Sequence, residues 1–441
     1  MNAVVKSRYP ADYPKLQSSL PGRSLAWLQN LRANAFDRFA EQGFPANHEE
    51  EWRYTNLTAL EKKPFQLASK AIELSPEFLA RHRLADTWTV VLVNGYFNVL
   101  YSILDGLPKG VEVLSLAEAL EKQDEALESN LGRIVNDEHN LLAFNTAWFS
   151  DGVLLKVPAK QVLTKPLHIL HVVTESDALV NTRNLLLVEA FAELTIIETF
   201  VASAGPEALA YLSTSVSEVG LSESAHLEYY SLQAEAEQAY HYSGLYVKQA
   251  KTSNFKHHQF AFGALLARSD IDTQLSSAAE CELNGLYSGV KRQHLDNHTR
   301  ITHLEPHAIS REMYKGILDE RARGVFQGRV IVAEHAQKTD SQMNNRNLLL
   351  SNDAEADTKP QLEIYADDVK CAHGVTVGQL EEKSIFYLQS RGVDAETARN
   401  MLTFAFANEM VEKISCASFH DQVLHLLLQR FPQQGIEQEW L

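Results

Sequence analysis

Four residues late in the chain have the types and spacing for metal or proton chemistry. Asp367, Asp368, Cys371 and His373 lie within Gln361–Gln379, QLEIYADDVKCAHGVTVGQ. Leu362, Ile364, Val375 and Val377 alternate there with polar or small residues, the period of a half-buried strand. On such a strand Cys371 and His373, two positions apart, leave the same face. Cys-x-His is then half of a soft-metal site, because a tetrahedral site needs two further ligands. Val369, Val375 and Val377 share the same parity, so an unbroken strand would equally make Cys371 and His373 core residues. A bulge at Gly374 would break the parity and free His373.

Asp367 and Asp368 with Lys370 resemble the acidic and basic equipment of some β-helix polysaccharide lyases. Adjacent aspartates on a strand point to opposite faces, which suits a paired-carboxylate mechanism poorly. Turn residues bonded to backbone are the better account. His294, His298, His303 and His307 form two H-x-x-x-H pairs that would share a helix face. Thr299–Arg300–Ile301–Thr302 favours strand, however, and Pro306 ends any helix, so these histidines read as a scatter. His257 and His258 are neighbours and on a strand would face opposite ways.

The elements that must carry these residues change character along the chain. Residues 22–42 read as a helix capped by Ser24, striped by Leu28, Leu31, Ala35 and Phe39 and stopped by Gly43. Thr87–Val99 is strand-like and Val113–Phe149 mostly helical, giving a mixed, mainly helical N-terminal domain over 1–150. From 151 to 379 short β-branched runs alternate with turn residues. AELTIIETF, AHLEYYSL, SNFKHHQF and AECELNGL start at Ala192, Ala225, Ser253 and Ala279, a weak repeat with spacings of 33, 28 and 26 residues. That period suits the coils of a parallel β-helix, although a β-sandwich also yields short strands and turns. Helical periodicity returns over 380–441. Glu381–Arg391 is closed by Gly392, Asp394 caps a helix carrying Met401, Leu402, Ala405, Phe406 and Met410, and Ser418–Phe431 aligns Val423, Leu427 and Phe431. The tail PQQGIEQEWL reads as mobile.

Composition narrows the function. With 57 acidic against 40 basic residues the formal charge is −17, which repels a phosphate backbone and argues against nucleic acid. Three scattered cysteines make no disulfide framework and fit a reducing, cytoplasmic setting. The N-terminus MNAVVKSRYPADYPKL has no signal-peptide h-region, and no apolar run is long enough to span a membrane. The sequence lacks a phosphate-binding G-x-x-x-x-G-K-[ST] loop, a G-x-G-x-x-G turn, H-E-x-x-H and G-x-S-x-G. Without C-x-x-C, a Cys₄ iron–sulfur site on this chain alone is excluded.

Ordered motifs carry a resemblance. The run Arg323–Gln379 contains G-V-F-x-G-R, then Q-x-x-N-N-x-N-L-L-L, then A-x-x-D-T-K-P-x-L-E-I-Y-A-D-D-V-K-C-x-H-G. It resembles the SufB/SufD superfamily of iron–sulfur cluster assembly proteins, with K-C-x-H-G-x-T-V-G favouring the SufD branch. GFPANHEEEWRYT from Gly43 is similar to that superfamily's G-x-P-x-x-x-x-E-x-W-[KR]-Y-T segment. The resemblance implies a mainly β fold: a right-handed parallel β-helix core between an N-terminal mixed domain and a C-terminal helical domain.

It also implies a non-catalytic scaffold subunit. Such a subunit pairs through its β-helix with a SufB-like paralogue and binds the ABC-type ATPase SufC through its C-terminal helices. Cys371 and His373 would then sit near the SufB-like contact and take part in building a transient iron–sulfur cluster, with no cofactor held permanently by this chain. A homodimer of the isolated chain is a further expectation. Two other classes stand beside this one: a β-helix carbohydrate-active enzyme, and a stand-alone metal-binding protein built on the histidine pairs.

Overall fold

The repeated segments found in the sequence fall on successive rungs of one sheet. Glu193 pairs with His226, His226 with Asn254, and Asn254 with Glu280, each in parallel register. The series continues through Ile309, Asp340 and Lys370. The computed structural model describes residues 9–431, apart from 64, 71–72, 136–138 and 206–208. The tail over 432–441 therefore lies outside the described residues.

Two ten-stranded sheets face each other, and the chain passes from one to the other in about eight coils. The first sheet runs from Glu112–Ser115 to Glu355–Ile364, with Gln66–Leu67 beside Ala178–Val188, and the second from Tyr96–Phe97 to Lys370–Gly378. The fold is a parallel β-helix, as the repeat and the resemblance imply. Alternate side chains enter the interior, so equivalent positions stack in columns. Leu227, Phe255, Cys281, Ser310 and Ser341 form one buried column. Tyr229, His257, Leu283, Glu312 and Met343 form the next.

One corner is built the same way in every coil. Ser224, Thr252, Ala278, His307 and Lys338 all adopt positive φ, between 53° and 65°. Each donates its backbone N–H to a carbonyl of the following coil: Lys251, Ser277, Pro306, Gln337 and Asp368 in turn. The left-handed conformation costs these non-glycine residues roughly 1 kcal/mol each, and the inter-coil hydrogen bond offsets it.

Helices cover the outer faces. Ala26–Gln42 and Asn140–Trp148 bring Phe39, Phe144 and Trp148 onto Leu179, Leu185 and Val216 of the first sheet. Ser24 is not the cap of the first of these helices. Extended Leu25 precedes it and no side chain accepts from its first turn, whereas Gly43 closes it at φ 69°. Ala395–Val411 and Ala417–Arg430 cover Tyr230, Phe260, Leu286 and Ile317 of the second sheet. Asp394 does cap the former, accepting from Glu396 and Thr397 N–H at 3.0 Å. Its buried face is centred on Phe404, Ala407 and Met410; Met401 and Leu402 are only half-buried and Ala405 is exposed. The solenoid sets that face by offering a broad apolar sheet, which the 3.6-residue period alone could not locate.

Gln361–Gln379 is not one strand. Glu355–Ile364 ends in the first sheet, a corner follows, and Lys370–Gly378 begins in the second. Among the described residues no helix is long and apolar enough to cross a membrane.

Candidate functional site

Both sheets end on the terminal coil, formed by Glu355–Ile364 and Lys370–Gly378. Lys370–Gly378 pairs with Asp340–Leu349 without interruption, so Gly374 makes no bulge. Cys371 therefore continues the Ser341 column and His373 the Met343 column. In earlier coils these positions are sealed; here His373, Val375 and Val377 are exposed and Cys371 is half-buried against the core. The alternative of Cys371 and His373 as core residues fails for His373, because the columns run out at this coil.

Burial pushes the Cys371 thiol up, as does the carboxylate of Asp340, while the Ser341 backbone amide works the other way. Isolated Cys371 is thus predominantly a thiol near neutrality and needs a cation or another donor to hold its thiolate form. Ile364, Tyr365 and the two valines leave an apolar rim beside it, Tyr365 being 63% exposed. Backbone groups on the outer edge of this coil have no further strand, an arrangement that invites strand pairing.

Asp367 and Asp368 lie at the corner before Cys371. The Asp368 N–H donates to Gln337 at 2.9 Å, its carbonyl accepts from Lys338 N–H at 2.6 Å, and its carboxylate pairs with Lys338. These contacts place Asp368 in a turn. Among the described residues no group of three or more His, Cys, Asp or Glu side chains could hold a metal ion. Cys371 and His373 fit iron–sulfur cargo as two donors, and the remaining ligands must come from elsewhere.

The pair His303–His307 disperses, and so do His257 and His258. His303 is buried inside and donates or accepts at Ser310 Oγ, 3.0 Å away, while His307 is a corner residue. His257 faces the interior column and His258 the outer helices, where Tyr230 stacks on it.

His294 and His298 instead border an ionic cluster around Trp52 that sequence reasoning did not locate. The Trp52 ring lies 3.6 Å from the Arg268 guanidinium. Arg268 donates to Asp270 at 2.9 Å, to Asp296 at 3.1 Å and to the Glu51 carbonyl at 2.8 Å. Thr55 Oγ1 donates to Asp296 at 2.5 Å, and His298 Nε2 lies 3.0 Å from the same carboxylate. Burial alone would raise Asp270 and Asp296; the Arg268 and histidine charges override it and hold both well below the usual carboxylate range. For His298, burial and Arg268 act downward, yet Asp296 and Glu51 prevail and raise it. The cluster borders a cavity of about 150 Å³ and straps the N-terminal region to the β-helix.

Glu312 is the interior group that sequence reasoning missed. It is fully buried, neither carboxyl oxygen makes a well-formed hydrogen bond, and burial, offset only in part by the Thr299 hydroxyl, pushes it up to about 7. A lone Glu at an inward position of a strand was the available signal.

Comparison with known proteins agrees with this architecture. Residues 171–406 match the family model of the SUF system FeS cluster assembly, SufBD core domain, and residues 4–169 match the SufBD protein N-terminal region. An iron–sulfur cluster assembly SufBD family protein of Synechocystis sp. is 33% identical over 93% of this chain and 92% of its own length. The iron–sulfur cluster assembly protein SufD of Escherichia coli is 34% identical over 88% of this chain and 90% of its own. That of Bacillus subtilis is 22% identical over 91% and 93%. The chain belongs to the SufBD family of the SUF iron–sulfur cluster assembly system.

Proposed function

We propose that this chain is a non-catalytic scaffold subunit that pairs with a SufB-like β-helix through its terminal coil. The observation that carries this is the coincidence, on that one coil, of an open strand edge, an apolar rim and the Cys371–His373 pair. The edge supplies main-chain pairing, the rim supplies burial, and the pair supplies two of the ligands for iron–sulfur cargo built between the subunits. Imidazole at His373 can also carry a proton during sulfide delivery. The cluster is transient cargo, and no cofactor is resident on this chain alone.

An ABC-type ATPase subunit of the SufC kind docks at the C-terminal helices. Ala395–Val411 and Ala417–Arg430 are committed to the solenoid, so the docking surface falls to Glu382–Ser390. There Phe386 is 71% exposed and Tyr387 lies beside it, also exposed. A cytoplasmic location completes the reading.

The experiment is co-expression of the chain with its SufB-like and ATPase partners, followed by purification of the complex and measurement of iron–sulfur content. His373→Ala is expected to leave the thermal midpoint and complex formation unchanged, as an exposed substitution does, while cluster content collapses. Cys371→Ser should give a milder loss. Normal cluster content in His373→Ala would remove the site assignment.

A further inference from the structure

The turn that anchors the N-terminal region reaches further along the solenoid than anchoring requires. Glu50–Trp52 is a short 3₁₀ turn, closed by Trp52 N–H on the Glu49 carbonyl at 2.9 Å. Thr55 N–H then donates to the Trp52 carbonyl at 3.1 Å. Trp52 and Thr55, each 1% exposed, root the segment on two interior rungs. Trp52 packs on Arg268 of Leu266–Leu275, and Thr55 donates to Asp296 of His294–His303.

From that root two carboxylates extend toward the open end. Glu51 Oε2 accepts from Gln327 Nε2 at 2.7 Å, and its Oε1 lies 3.5 Å from Arg329, both on Arg323–Val332. Arg329 hands the contact on, because its Nε donates to Glu363 of Glu355–Ile364 at 2.6 Å. Glu50 pairs directly with Lys359 on that same last strand. One turn of chain thus touches four successive rungs, a span of about 14 Å.

Strand pairing alone holds the last coil only from the coil before it. The coil has two states, laid down or frayed, and the carboxylates meet Lys359 and the Arg329–Glu363 pair together only when it is laid down. A segment with such differential contacts biases the equilibrium between the two states. The root is buried, whereas the carboxylate contacts are part-exposed and individually weak. Removing the charges therefore leaves the root in place.

We propose that Glu50–Trp52 is a brace on the terminal coil, rooted on interior rungs and holding the last strand down through Glu50 and Glu51. The brace couples the N-terminal region to the open end of the solenoid, and it is a property of the single chain. One consequence rests on the assembly reading above: the brace keeps the Cys371–His373 coil ordered for a partner β-helix.

Hydrogen–deuterium exchange of the full chain tests it with the double variant Glu50→Gln/Glu51→Gln, which keeps the side-chain volumes and removes both charges. Amides of Glu355–Ile364 and Lys370–Gly378 are expected to exchange about fivefold faster. Those of Leu212–Leu221, two rungs before the root, should keep their rates. Unchanged rates in the terminal coil overturn the proposal. Equal acceleration in Leu212–Leu221 also overturns it, because the substitutions would then act on the whole fold. The assembly reading fails separately: a chain that forms no complex with a SufB-like partner would remove that reading without altering these single-chain rates.

Discussion

Glu312 and His373 occupy one interior column, two rungs apart with Met343 between them. The first is sealed by the coils on either side, and the second is open because its coil is the last. One column position therefore holds a buried carboxyl group in one coil and an exposed imidazole in another.

Glu312 should make the fold lose stability as pH rises from mildly acidic to neutral. Its folded value of about 7 stands above the ordinary 4.5, so the folded state holds the proton more tightly than the unfolded one. Stability is complete below about pH 4.5, falls between 4.5 and 7, and above 7 is lower by about 3 kcal/mol. Glu312→Gln should flatten that dependence. Urea unfolding at pH 5 and pH 8 measures it, and equal slopes for both proteins would contradict the assignment.

Arg268 should be among the costliest single positions. Its removal leaves Asp270 and Asp296 buried beside each other without their guanidinium, a loss of about 3–5 kcal/mol for Arg268→Ala. Both carboxylates are depressed in the folded protein, so their contribution is present above the unfolded value near 4 and lost as pH falls below it. The gap between wild type and variant should accordingly narrow on acidification below pH 4, as denaturant midpoints at pH 7 and pH 3 would reveal.

Phe386 and Tyr387 should matter for association and not for folding. Replacing both with alanine removes two exposed rings, each worth about 2 kcal/mol if it anchors the ATPase subunit. Pull-down should fail while the thermal midpoint holds; undiminished capture would move the docking surface elsewhere. Truncation at Glu381 is a poorer test, because Phe404 and Phe419 beyond it cover the second sheet.

Ala278→Gly should stabilise the protein. Ala278 sits at φ 53° with its N–H bonded to Pro306, a conformation that glycine adopts without the Cβ penalty. The gain should be about 0.5–1 kcal/mol by thermal or urea unfolding. A loss would mean that the side chain contributes packing that outweighs the strain.

The coil repeat was legible because it is carried by inward positions, where Leu227, Phe255 and Cys281 must all be small or apolar to stack. The shared parity of Cys371 and His373 was legible as well. What the pattern could not convey was which coil is last. Strand periodicity makes Val375 and Val377 look buried, and only the absence of a following rung exposes them. The corner was hidden as well, since Ala278 and His307 are not residues that usually announce a left-handed turn. The Arg268 cluster joins residues more than two hundred positions apart, beyond any local pattern.

Each strand of the solenoid pairs only with the rungs immediately above and below it. Cooperativity in such a stack is transmitted neighbour to neighbour, so the terminal coil, with one neighbour, should fray at a free energy well below global unfolding. A partner strand laid on its edge would be the missing neighbour, and ordering of the coil would then be thermodynamically linked to association. Amide hydrogen exchange along Lys370–Gly378 would report assembly directly, slowing when the edge is capped and quickening when it is bare.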